Sequence, residues 1–98
     1  MIKHIILWQL KEDIADKAAV KAGIKAGLEG LKGRIPGLID IRVRTDGLAS
    51  SNADVMLDST FADAASLKEY STHPEHVKVA DGKVRPFTRT RLCLDFED

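Results

Sequence analysis

The stretch IKHIILWQL, residues 2–10, carries apolar residues at both parities. In an extended chain successive side chains point to opposite faces. Ile2, Ile6, Trp8 and Leu10 therefore share one side with His4, and Ile5 and Leu7 take the other. A strand that is apolar on both sides has to be covered on both sides. The sheet that holds it needs two covers, and the remaining elements must supply at least one.

After KED, residues 11–13, a helix is expected with Asp13 as its N-cap. Val20, Ile24, Leu28, Leu31 and Ile35 recur at steps of three and four and form one apolar stripe along it. Gly23, Gly27 and Gly30 weaken the helix locally and would let it pack closely on a sheet; Gly33 and Pro36-Gly37 end it. LIDIRVRT, residues 38–45, alternates, with Ile39, Ile41 and Val43 one way and Asp40, Arg42 and Arg44 the other. DGLASSN, residues 46–52, is turn chemistry. A third strand follows in ADVMLDSTF, with Val55, Leu57 and Phe61 on one side and Met56 on the other. Ala64, Leu67 and Tyr70 mark a short helix. Pro74 holds His73 extended and suits the first position of a new helix. That helix would carry Val77, Ala80 and Val84, with Gly82 or Pro86 stopping it. TRTRLCLDF, residues 88–96, closes the chain as a strand, with Leu92, Leu94 and Phe96 on one face and Arg91, Cys93 and Asp95 on the other.

The order is β-α-β-β-α-β, an α+β chain of one domain spanning residues 1–98. It implies the ferredoxin-like arrangement, a four-stranded antiparallel sheet with its helices on one face. The helices cover one side only. Ile5, Leu7, Met56, Leu92, Leu94 and Phe96 are left on the other, each worth about 1.5–3 kcal/mol when buried. A homodimer joined through that sheet face is the expected solution.

Lys plus Arg and Asp plus Glu each number 15, so the chain has no net charge, and it has no basic run. No nucleic-acid partner is expected. No apolar run is long enough to cross a membrane. Lys3 and His4 interrupt the apolar N-terminus and no small-residue cleavage pattern follows, which reads as a strand rather than a signal peptide. Cys93 is alone, so no internal disulfide forms, and a cytoplasmic location is expected.

Chemistry concentrates in EYSTHPEHVKVA, residues 69–80, which holds the only tyrosine and two of the three histidines. In the ferredoxin-like order the first and last strands are antiparallel neighbours, which brings His4 beside Asp95. His4, Trp8 and Asp95 would then share a layer with Tyr70, His73 and His76. A histidine exchanges protons at neutral pH, a carboxylate beside it sets its tautomer, and a tyrosine hydroxyl donates to a developing oxyanion. Such a set suits proton abstraction next to a carbonyl. Against this stand structural roles: Tyr70 packing on the sheet, His73 capping the short helix, and His4 serving only as the partner of Asp95. His73 and His76 lack a third ligand, so no metal and no cofactor are expected. Arg42, Arg44, Arg85, Arg89 and Arg91 are read as partners of Asp40, Asp54, Asp58 and Asp95, with an anion site as the lesser alternative, and Cys93 as a small buried filler.

MIKHIILWQLKE, IPGL, YSTHPEHVKVA and RLCLDFED together resemble the stress-responsive A/B barrel (Dabb) family over nearly the whole chain. The spacing of tyrosine, two residues, His-Pro, one residue and His carries most of the likeness. The resemblance implies a dimeric α+β barrel built from ferredoxin-like subunits. Plant members include heat-stable stress proteins and a polyketide cyclase, olivetolic acid cyclase. In the cyclase the motif tyrosine polarises a carbonyl and the second motif histidine acts as base, positions matched here by Tyr70 and His76. His4 and Asp95 match the pair that lines or orients that site. The first helix departs from the cyclase: KAAVKAGIKAGLEG offers no aromatic residue to a pocket, so the plant substrate does not carry over.

Two functions follow as expectations. One is small-molecule binding, with cyclase-, lyase- or isomerase-type proton transfer on an aromatic or carbonyl compound. The other is a non-catalytic dimeric module for stress response or assembly, which predicts a filled sandwich. A monooxygenase of the wider dimeric α+β barrel group is a third and weaker reading.

Overall fold

The structure is a computed structural model describing residues 1–98. Strand β1 (Ile2–Leu10) is followed by helix α1 (Lys17–Glu29), strands β2 (Leu38–Arg44) and β3 (Val55–Phe61), and helices α2 (Ala64–Thr72) and α3 (Pro74–Val79). A π-helical turn (Ala80–Val84) and a 3₁₀ turn (Arg85–Phe87) then lead into β4 (Thr88–Glu97). The strands form one four-stranded sheet in the order β2-β3-β1-β4, with antiparallel pairing throughout. This is the ferredoxin-like α+β architecture.

β1 lies inside the sheet, as its two apolar faces require. Toward the helices Ile6, Trp8 and Leu10 join Ile41, Val43, Val55, Leu57 and Phe61 in a core closed by Ile24 and Leu28 of α1. On the opposite face Leu92 and Leu94 are each 64% exposed. Leu7 and Phe96 are exposed beside them, and Ile5 and Met56 are half-buried. The chain's own helices leave that side uncovered.

Five local expectations are corrected. The α1 cap is Asp16, whose carboxylate accepts the Ala19 N–H at 3.0 Å, and Asp13 sits in the preceding turn. Both aspartates had cap chemistry, but Ile14 packs on the core before the helix begins. Second, α1 stops at Glu29, and Leu31 and Ile35 lie beyond it. They remain buried because tight turns, with the Leu31 N–H donating to the Leu28 carbonyl and Arg34 to Leu31, keep nearly helical spacing. Third, Gly27 opens α1 toward α3 rather than toward the sheet: a Cβ there would lie 2.9 Å from a Val79 methyl. Fourth, Leu38 points to the core and Ile39 to the open face, because the β2–β3 register shifts between Leu38 and Asp40. One bulged residue reverses every side chain before it. Gly82 does not stop the last helix either. The chain widens into the π-helical turn there, and Ala80 and Val84 stay buried.

Candidate functional site

Tyr70 lies in the last turn of α2 and His76 in α3, and the junction between them decides how the two rings meet. His73 is extended (φ −64°, ψ 132°), as a residue before proline must be. Its N–H donates to the Tyr70 carbonyl at 3.1 Å, and its ring Nδ1 accepts the Glu75 N–H at 3.1 Å. The turn brings the Tyr70 and His76 rings to 4.2 Å between centroids, tilted by 35°. Phe61 supports Tyr70 edge-on at 4.9 Å.

From the sheet, His4 pairs directly with Asp95 across β1 and β4. The His4 ring donates from Nδ1 to the Asp95 carboxylate, and the Cys93 thiol donates to the same oxygen at 3.4 Å. The His4 ring stands 6.2 Å from that of Tyr70. Around these groups opens a cavity of about 670 Å³, between the sheet and the helices, with Trp8 and Leu57 on its sheet side and Ala80 and Val84 on the helical wall. Its volume falls within the range of small-molecule sites.

Burial shapes the protonation of each group. It pushes the Tyr70 hydroxyl well above the ordinary phenol value, against a small opposing pull from Arg91. The Tyr70 side chain is 1% exposed, and its hydroxyl has no hydrogen-bond partner in the protein. Burial also lowers His76, and the positive charges of Arg85, His4 and Arg91 add to that. The His76 Nδ1–H donates to the Ser71 carbonyl at 3.3 Å. A carbonyl can only accept, so Nδ1 carries the proton and Nε2 holds the lone pair of the neutral ring. Burial pulls Asp95 upward, but the hydrogen bond and charge of His4 outweigh it and hold the carboxyl below its usual range. Burial and the neighbouring Asp95 raise the Cys93 thiol, keeping it protonated.

The structure thus gathers Tyr70, His76, His4, Asp95 and Trp8 around one cavity. His73 does not join them: its ring is spent on capping α3. Cys93 lines the cavity and is exposed rather than buried as filler. His4, Cys93 and Asp95 place one nitrogen, one sulfur and one oxygen donor within 4.8 Å of each other, the set that would hold a metal ion. Those donors are hydrogen-bonded to one another. Sequence reasoning sought ligands at His73 and His76 and missed this set, though its alternation on β4 opposite His4 was in view. Lys68, which the sequence did not single out, also lines the cavity, as do Arg85 and Arg91, which it offered for an anion site only as the lesser alternative.

The family model for the stress responsive A/B barrel domain matches residues 2–98. A dimeric protein of unknown function and ferredoxin-like fold from Bacteroides fragilis has a similar structure: TM-score 0.91, 28% identity, 99% of this chain and 95% of that one. A Dabb family protein from Mesorhizobium loti aligns with TM-score 0.75 and 20% identity over 99% of this chain and 95% of its own. The hydroxynitrile lyase of Passiflora edulis aligns with TM-score 0.72 and 17% identity over 97% and 90%. No curated protein matches in sequence.

Proposed function

The chain belongs to the stress responsive A/B barrel domain family, and from that premise we propose that it binds a small carbonyl compound between sheet and helices and moves a proton on it. The observation that carries this reading is Tyr70: its hydroxyl is buried and unpartnered, and the residue lines a ligand-sized cavity together with His76. A buried donor without a partner costs about 1–3 kcal/mol. A ligand carbonyl would supply the missing acceptor.

In the reaction, His76 Nε2 takes a proton from the carbon next to the carbonyl. The C–H electron pair moves into an enolate, and Tyr70 donates its hydrogen bond to the oxygen as negative charge builds there. The same proton returns from His76 to carbon in an isomerase, protonates the departing group in a lyase, or in a cyclase protonates the alkoxide formed when the enolate carbon attacks a second carbonyl of the same ligand. Burial favours this division of labour. Tyr70 stays protonated and can donate, while His76 stays neutral and can accept. The His4–Asp95 pair holds the floor of the site and orients the His4 ring.

We further infer that the protein is a homodimer through Ile5, Leu7, Met56, Leu92, Leu94 and Phe96, joined by Ile39, and that it resides in the cytoplasm. The uncovered apolar face and the dimeric description of the Bacteroides fragilis structure support the pairing. A non-catalytic module called for a filled sandwich; the 670 Å³ cavity favours a ligand. The likeness to a hydroxynitrile lyase extends to the fold, and the side chains around the cavity carry the chemical reading.

The test is a thermal-shift screen of small phenolic and β-keto compounds, followed by deuterium exchange at the carbon next to the carbonyl. Tyr70→Phe and His76→Ala should each lose exchange by about 10²-fold or more. Undiminished binding and exchange in the double variant would exclude the assignment.

A further inference from the structure

The cavity is positively charged although the chain is not. Lys68, Arg85 and Arg91 line it against one carboxylate, Asp95, whereas Lys plus Arg and Asp plus Glu are equal in the chain as a whole. That carboxylate is already engaged by His4 and Cys93. Arg85 is held by Asp81. Arg42, Arg44 and Arg89 likewise have carboxylate neighbours in Asp40, Asp46 and Glu12. Arg91 and Lys68 form no ion pair within 4.0 Å; Arg91 faces Asp95 and Cys93 at longer range, and that single carboxylate, already shared with His4, is the only acid lining the cavity.

Arg91 is also well placed. It pairs across β1–β4 with Trp8, on the face that holds Cys93 and Asp95. Its positive charge reaches both Tyr70, where it opposes the rise caused by burial, and His76, where it adds to the lowering. One ligand can therefore meet the guanidinium, the buried phenol and the histidine together. A guanidinium offers paired N–H donors matched to a carboxylate.

Resting on the carbonyl-ligand reading above, we propose that the ligand is an oxo carboxylate. Arg91 grips its acid group, Lys68 adds attraction, and the ketone oxygen is left for Tyr70. Arg91 thereby decides specificity for acids over neutral carbonyl compounds of the same shape.

The probes are benzoylacetate and benzoylacetamide, which share a skeleton and differ in charge. Calorimetric titration of the full chain should show the acid binding about tenfold or more tighter than the amide. The acid's advantage should shrink as salt rises. Arg91→Gln should reduce the acid to the affinity of the amide, with Arg91→Lys partly restoring it and both variants melting cooperatively. Lys68→Gln should weaken the acid by a smaller factor. Equal affinity for acid and amide in the wild type overturns this proposal and leaves the carbonyl-ligand reading standing. A preference for the acid that survives in Arg91→Gln overturns the role of Arg91. Failure of both probes to bind overturns the proposal together with the reading beneath it.

Discussion

Tyr70 was legible as chemistry in the sequence, but what sets its character is a missing partner, which only packing reveals. Its hydroxyl is buried against no acceptor, so Tyr70→Phe removes a desolvated group and keeps the ring contacts with Phe61 and His76. The variant should be about 1 kcal/mol more stable than the wild type while losing exchange activity. Chemical denaturation checks this, and a loss of stability would mean that the hydroxyl serves the fold. His76 gives the pH dependence. Its folded pKa is depressed, chiefly by burial. The unfolded chain therefore binds the proton more readily, and stability falls as pH drops through the ordinary histidine value toward the folded one. Melting curves of the wild type and of His76→Gln should diverge in that window, with the variant losing less. The acid limb of the exchange rate should lie below the ordinary histidine value of about 6.5.

At the scale of elements, the alternations in β1 and β3 transferred directly from sequence to sheet, because period two with one buried parity has a single solution, and β4 takes its facing from its register with β1. β2 did not, since a one-residue bulge carries no compositional mark. The α1 stripe ran past the helix end because close turns and helix share nearly the same spacing. One junction is sharply constrained. Gly37 has φ +83°, and a Cβ there would lie 2.2 Å from the Ser66 hydroxyl, which itself donates to the α2 cap Asp63. Gly37→Ala should cost about 1–2 kcal/mol for the left-handed backbone alone, and more for the collision. Adding Ser66→Gly should recover only the second part. A double-mutant cycle on melting data measures this, and a coupling within about 0.3–0.5 kcal/mol of zero would deny the contact.

For the molecule as a whole, the uncovered sheet face is the largest unanswered demand of the sequence. Leu92, Leu94 and Phe96 stand exposed in a row along β4, beside Leu7 of β1. Leu94→Glu should convert a two-chain mass to a one-chain mass in light scattering at micromolar concentration, and should lower the melting temperature with it, because pairing stabilises by mass action. A wild type already of one-chain mass would refute the pairing. The sheet's other face is independent of that interface, so a monomeric variant that retains the fold should still bind the probes.

Element order, the two apolar faces of β1 and the His4–Asp95 pairing followed from the sequence alone, because strand alternation and antiparallel neighbourhood are local rules that the chain cannot evade. The cavity, the stacking of Tyr70 on His76, the diversion of His73 to a helix cap and the absence of a close ion pair at Arg91 came only with the tertiary structure. Each depends on what a side chain fails to meet or on the angle at which two elements join. Those are properties of the space between segments, which no single segment encodes.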